Sequence, residues 1–136
     1  MGECPQEAFS AELRIATCNA LTLRDDVQRR CFASQARQHH LAAFGLQETR
    51  AQATNVREQL GFIIASSSCD HAGRFGCELW LDLSAVWAWV GDSPIKLDTD
   101  SVSIVYSDPR RLLVSVRAGR VAFSAAVLHS PHKGSP

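Results

Sequence analysis

No stretch of this sequence approaches the roughly eighteen consecutive apolar residues of a membrane-spanning helix, which excludes a helical integral membrane protein. The opening residues, Met1-Gly2-Glu3-Cys4-Pro5-Gln6-Glu7, are acidic and polar where a secretory signal is basic and then apolar, so an intracellular chain is expected, with the nucleus as open as the cytoplasm. Cys-x-x-Cys is missing as well. The five cysteines, at 4, 18, 31, 69 and 77, are an odd number, so neither a disulfide framework nor a thiolate zinc site is expected, and reduced, mostly buried thiols are. A basic surplus is also lacking: Lys and Arg total 14 and Asp and Glu total 14, so any contact with nucleic acid has to rest on a few local arginines. There are no internal repeats and no low-complexity segments. What remains fits one domain. With 46% hydrophobic and 21% charged residues, 136 residues can bury roughly two thirds of their unfolded surface.

The richest stretch is Ala43-Phe44-Gly45-Leu46-Gln47-Glu48-Thr49-Arg50, an apolar run suited to a buried strand that ends in an amide, a carboxylate and a guanidinium. A second strand, Leu13 to Ala20, alternates apolar and polar side chains and closes on Asn19, an amide able to face an anion or a hydrated metal. Asp25-Asp26 open a helix over Val27 to Ala42, with Val27, Cys31, Leu41 and Phe32 as a thin apolar stripe and His39-His40 at its solvated end. A shorter helix is expected over Ala51 to Leu60, ended by Gly61, before a strand Phe62 to Ala65 and the loop Ser66 to Gly73, in which Cys69-Asp70-His71 read as turn residues. From Cys77 to Leu83 the period is two. Cys77, Leu79, Leu81 and Leu83 share a buried face, and Glu78, Trp80 and Asp82 the other. Strands Val102 to Tyr106, Leu112 to Val116 and Val121 to Leu128 follow, the last two joined by a tight turn at Ala118-Gly119. Trp80, Trp87 and Trp89 read as packing residues rather than base-stacking platforms.

Three motifs carry a resemblance. Thr17-x-Asn19 on the first strand, Gln47-Glu48-Thr49-Arg50 at the end of the second, and His129-Ser130-Pro131 after the last strand resemble the endonuclease/exonuclease/phosphatase superfamily, the fold of DNase I, the apurinic endonucleases and the endonucleases of non-LTR retrotransposons. Gly73-Arg74-Phe75-Gly76 and the strand after it resemble that family's glycine-bearing turn. The resemblance spans about Glu12 to Pro131, after a tail of residues 1–11. It implies an α/β fold of the α+β kind, a four-layer DNase I-like sandwich of mostly antiparallel strands flanked by helices. Residues 12–136 would be its N-terminal half, because the family's later Asp-x-Asn and terminal Asp-His motifs have no match here. Such a half leaves an unpaired sheet edge, which favours self-association.

The resemblance assigns roles to single residues. Glu48 becomes a ligand of Mg²⁺, with Mn²⁺ as a substitute, against the plain reading of a solvated helix-start glutamate. Asn19 becomes a catalytic and metal-side amide, against a turn-forming asparagine. Arg50 and Arg111 become phosphate-binding cations, against a surface arginine and a charged hairpin. His129 becomes a general acid or base, against a loop histidine. Together they describe a metal-dependent phosphodiesterase acting on nucleic acid, present as a truncated fragment whose activity alone is expected to be absent or very low. A catalytically silent retroelement remnant or scaffold, and a phosphatase for phosphoinositides or small phosphoesters, stand as alternatives.

Overall fold

A computed structural model describes residues 13–23 and 25–130; the expected tail and Pro131 lie outside these. Ten strands and one α-helix follow one another as β1 (Arg14–Asn19), α1 (Asp26–Gln38), β2 (Leu41–Gln47), β3 (Asn55–Gln59), β4 (Phe62–Ser66), β5 (Cys77–Asp82), β6 (Ala88–Val90), β7 (Ser93–Ile95), β8 (Val102–Asp108), β9 (Arg111–Ala118) and β10 (Val121–Leu128). A five-stranded sheet has the order β1-β2-β5-β4-β3, and a three-stranded sheet the order β10-β9-β8. Only β1 and β2 run parallel, and α1 supplies the long crossover that a parallel pair needs; the other pairs are antiparallel. The expected mixed, mostly antiparallel architecture is present. Among the described residues it has three layers.

The first core lies between the sheets. Ala43, Ile63, Ala65, Cys77, Leu79 and Leu81 meet Val102, Leu112, Val114, Val116 and Val127. Gly45 lets the layers close up there, since a Cβ on it would stand 3.0 Å from Val127 Cγ2. The second core lies under α1, where Leu23, Ala33 and Ala36 cover Phe44, Leu46, Phe62, Ile64 and Trp80. The large sheet is thus covered on both faces. This corrects the expectation that the strand from Cys77 has one buried side: Glu78 and Trp80 are fully buried too. Glu78 tolerates this because Arg29 of α1 grips both its oxygens at 2.9 and 2.8 Å and Trp80 Nε1 donates to it at 2.9 Å.

The helix departs from its expected limits and face. Asp25 caps it by accepting from Val27 N, as its acidic start suggested, but it ends at Gln38 and Leu41 already begins β2. Its buried positions are Arg29, Ala33 and Ala36, while Val27 and Cys31 face solvent, because the Glu78 carboxylate draws Arg29 rather than the apolar stripe inward. The expected helix over Ala51 to Leu60 is not formed. Residues 55–59 pair with β4 instead, Asn55 opposite Ser66 and Gln59 opposite Phe62, across a two-residue turn. Leu60 and Gly61 have φ of 57° and 83°, the pair of positive values that a tight primed hairpin turn requires, so Gly61 turns a hairpin instead of ending a helix. Gly119, with φ of 58°, plays the expected part between β9 and β10.

Trp80 lies in the helix-side core, Trp87 stacks on Phe123 at 4.9 Å, and Trp89 is exposed. The open edges of the sheets, β1 and β10, flank a shallow apolar groove whose rim includes the exposed Ile15 and Leu128. No helix among the described residues is long and apolar enough to cross a membrane.

The thiols also differ from expectation: Cys18 and Cys31 are exposed, Cys69 is half-buried and Cys77 is buried. Burial, followed by a lowering bond with Ser67 and a raising influence of Asp108, leaves the Cys77 thiol pushed up to about 11. Iodoacetamide at mildly alkaline pH is therefore expected to label Cys18 and Cys31 in the native chain, and Cys77 only in urea. Peptide mass spectrometry reads the result, and native labelling of Cys77 at the rate of Cys18 would show that β5 is uncovered.

Candidate functional site

The loops at one rim of the sheets are stitched together by backbone hydrogen bonds. Ala20 N donates to Gln47 O, Leu23 N to Thr49 O, Thr49 N to Gly76 O, Arg50 N to Phe75 O, Gly76 N to Pro109 O and His129 N to Arg110 O, all between 2.7 and 3.1 Å. The ends of β1, β2 and β10 therefore meet the loop before β5 and the β8–β9 turn. Gly76 permits this, because its φ is 98° and a Cβ would lie 3.2 Å from both Arg50 N and Thr49 Oγ1. Four residues without glycine's freedom are also bent into the left-handed region here, Leu21 at 61°, Glu48 at 56°, Arg50 at 57° and Phe75 at 68°. Each such residue costs on the order of 1–3 kcal/mol, and residues of this kind concentrate at functional sites.

Glu48 and His129, distant in sequence, come together: His129 Nε2 stands 3.1 Å from Glu48 Oε1. With Nε2 given to the carboxylate, His129 Nδ1 is buried and unpartnered. The second carboxylate oxygen, Oε2, makes no hydrogen bond or ion pair among the described residues. The imidazole is positioned on its other side by Phe75, 5.5 Å between ring centres, and Phe75 carries the Arg110 guanidinium at 4.3 Å. Among the described residues four buried side-chain atoms lack a hydrogen-bond partner, and three belong to this rim: Thr49 Oγ1, Arg50 Nε and His129 Nδ1. Orphaned polar groups in a folded chain call for an explanation such as water, ion or substrate.

Beside the pair opens a pocket of about 520 Å³ lined by Asp70, Phe75, Asp108, Arg110, Arg111 and His129 among others. Arg111 Nε bonds Asp108 Oδ2 at 2.7 Å and remains largely exposed. Asn19 sits at the same rim, its Cα opposite that of Gln47, and its Oδ1 accepts from Leu21 N at 3.0 Å. That is the turn-forming geometry, with the amide nitrogen left over. Arg50 is the exception. It lines a different pocket, with Arg29 and Arg57, so it does not share one with Arg111. Nor does it begin a helix. Asp70 forms the expected turn, accepting from the backbone of Ala72 and Arg74, and His39 caps the end of α1 in solvent.

Thr49, Phe75 and Asp108 also stand at this rim, and sequence reading gave them no role. The signal available for Phe75 was its place in Gly73-Arg74-Phe75-Gly76; Thr49 and Asp108 offered none.

The pocket wall depends on two carboxylates held below the usual carboxylate range. The backbone N–H of Arg74 lowers Asp70, against burial, helped by the Arg74 charge and further bonds. Burial raises Asp108, but bonds from Tyr106, Arg110 N and Arg111 outweigh it. A carboxyl whose folded pKa is depressed contributes its stability fully above the unfolded value, about 3.9 for Asp, and loses it as pH falls through the folded value. The amides of Arg74 and Arg110 are therefore expected to stay protected from hydrogen exchange down to about pH 4 and to lose protection below it. Unchanged protection well below that range would show that these bonds do not hold the wall.

The free oxygen of Glu48 is a hard donor of the kind that Mg²⁺ takes alongside its waters, while among the described residues no group of three or more His, Cys, Asp or Glu side chains able to hold a metal exists.

No protein-family model matches this sequence, and no curated protein matches it significantly. Among solved structures, the endonuclease domain of TRAS1, a telomere-specific non-LTR retrotransposon, is similar with a TM-score of 0.54 and 13% identity, over 91% of this chain and 48% of that one. The likeness is one of fold. This chain spans about half the length of that structure.

Proposed function

We propose that this chain is a divalent-metal-dependent phosphodiesterase of the endonuclease type, belonging to the endonuclease/exonuclease/phosphatase superfamily and supplying three layers of a four-layer sandwich. The observation that carries it is the Glu48–His129 pair at 3.1 Å, on a rim where the carboxylate's backbone is held left-handed. The structural neighbour, itself an endonuclease domain, supports it.

In this reading Glu48 Oε2 would hold Mg²⁺ or Mn²⁺ alongside water, and the Asn19 amide nitrogen, left free by the turn, would donate to a phosphate oxygen. When bound, such an ion polarises a phosphate oxygen and neutralises charge on the leaving oxygen. Glu48 Oε1 fixes the imidazole of His129 and leaves its buried Nδ1, which has no partner, as the proton acceptor or donor. Arg111 binds the phosphate with its planar fork from the same pocket, in exchange for or alongside its bond to Asp108. Nucleic acid is the substrate, read by local arginines.

A second reading, a catalytically silent scaffold, is favoured by one fact: Glu48 has no second acidic or histidine ligand group beside it beyond His129 among the described residues. Nicking of supercoiled plasmid separates the two. The active reading expects slow nicking with Mg²⁺ or Mn²⁺ that stops with EDTA. Failure to nick supports the scaffold, nicking that EDTA leaves unchanged overturns the metal dependence, and hydrolysis of phosphoinositide or small phosphoesters without nicking moves the substrate class.

A further inference from the structure

The pocket that Arg50 lines, about 370 Å³, carries a charge that the proposed chemistry does not use. Arg29, Arg50, Arg57, Gln52 and Asn55 all border it. Behind them stands one carboxylate, Glu78, so the group has a formal surplus of two positive charges. That carboxylate is already committed. Both its oxygens hold Arg29, and Arg57 Nη2 reaches it at only 3.9 Å.

Arg57 is braced for display rather than for pairing. Its Nη1 donates to Asn55 Oδ1 at 2.9 Å and Ser66 Oγ at 2.7 Å, and its Nε to Gln59 Oε1 at 3.3 Å. Burial lowers its pKa, Glu78 opposes that, and Arg29 adds to the lowering, so positive charge is held here at a cost. The Arg50 side chain has no hydrogen bond or ion pair among the described residues, and its Nε is sealed from solvent without a partner. A half-buried cluster of guanidiniums with one carboxylate among three is stabilised by an anion, and the planar fork of arginine matches the oxygens of phosphate. The volume accepts a phosphate with a small attached group.

We propose that this pocket is a phosphate-binding subsite, taking a phosphate monoester or diester group on Arg50 and Arg57 against the fixed Arg29–Glu78 wall. It requires neither Glu48 nor His129, and so stands or falls apart from the hydrolytic reading. Free phosphate, the terminal phosphate of a nucleotide and a backbone phosphate of a strand share the chemistry that it recognises.

The test follows the Nε–Hε signals of Arg50 and Arg57 by NMR in the full chain. Three probes are titrated: inorganic phosphate, a deoxynucleoside 5′-monophosphate, and a short single-stranded oligodeoxynucleotide without a terminal phosphate. Saturable shifts of both signals are expected with at least one probe. A response to the monophosphate alone identifies a terminal monoester as the ligand, and a response to the oligonucleotide identifies a backbone phosphate. Arg50→Gln, which breaks no existing side-chain bond, is expected to bind about tenfold more weakly. No shift with any of the three, shifts confined to Arg110 and Arg111, or equal affinity in Arg50→Gln would overturn the proposal.

Discussion

Replacing Glu78 with alanine is expected to destabilise the fold by about 3–5 kcal/mol, because it strands the Arg29 guanidinium in the core beneath α1 with no anion to hold it. Against a typical total of about 5–15 kcal/mol, a loss of that size leaves a marginal protein. Arg29→Ala is expected to do comparable damage by leaving the fully buried carboxylate to Trp80 Nε1 and the more distant Arg57. The double variant Arg29→Met with Glu78→Leu is expected to recover most of the loss, since apolar side chains of similar size remove both desolvated charges together. Urea unfolding of the four proteins compares the cost of breaking the pair with that of replacing it. A single-variant cost below about 1 kcal/mol would mean that water reaches the pair and that α1 does not seal that face of the sheet.

The second large effect is on chemistry. Glu48→Gln keeps the shape and the backbone conformation of the residue but removes its charge, and is expected to lower metal-dependent nicking by about a hundredfold or more. Its unfolding midpoint is expected to stay near that of the unaltered chain, because Glu48 is part-exposed and its one side-chain bond is to His129. Glu48→Gly separates strain from function. It relieves the left-handed φ of 56°, and is expected to match or exceed the parent stability by up to about 1 kcal/mol while losing activity to the same extent. Full nicking by Glu48→Gln would remove the carboxylate from the mechanism, and a collapse in stability with either substitution would make Glu48 a structural residue.

Glu48, Asn19 and His129 were each legible as candidates because each terminates a run whose period marks a strand, and polar groups at strand ends are conspicuous against the apolar residues before them. Their roles were less legible. Asn19 uses its carbonyl to turn the chain at Leu21, a local task that any strand-ending asparagine performs. Arg50 shares a motif with Glu48, yet two left-handed residues in three turn the chain so that the two line different surroundings, and no spacing rule for strand or helix describes such a segment.

The sequence by itself determined the local features: the acidic cap of α1, the alternating strands β5 and β8 to β10, the glycine turn at Gly119, and the polar termini of β1, β2 and β10. Period, capping and turn chemistry act between near neighbours and so are written in short stretches. Tertiary structure decided everything that depended on a distant partner. Residues 55–59 became a strand because β4 offered a free edge and Leu60-Gly61 could turn onto it, outweighing the weak helical preference of the segment. Glu78 and Trp80 became core because Arg29 arrived from α1 to neutralise the carboxylate. Glu48 met His129 because packing β10 over β2 brought their ends to one rim, a contact whose energy resides in the two sheets together and in neither stretch of sequence alone.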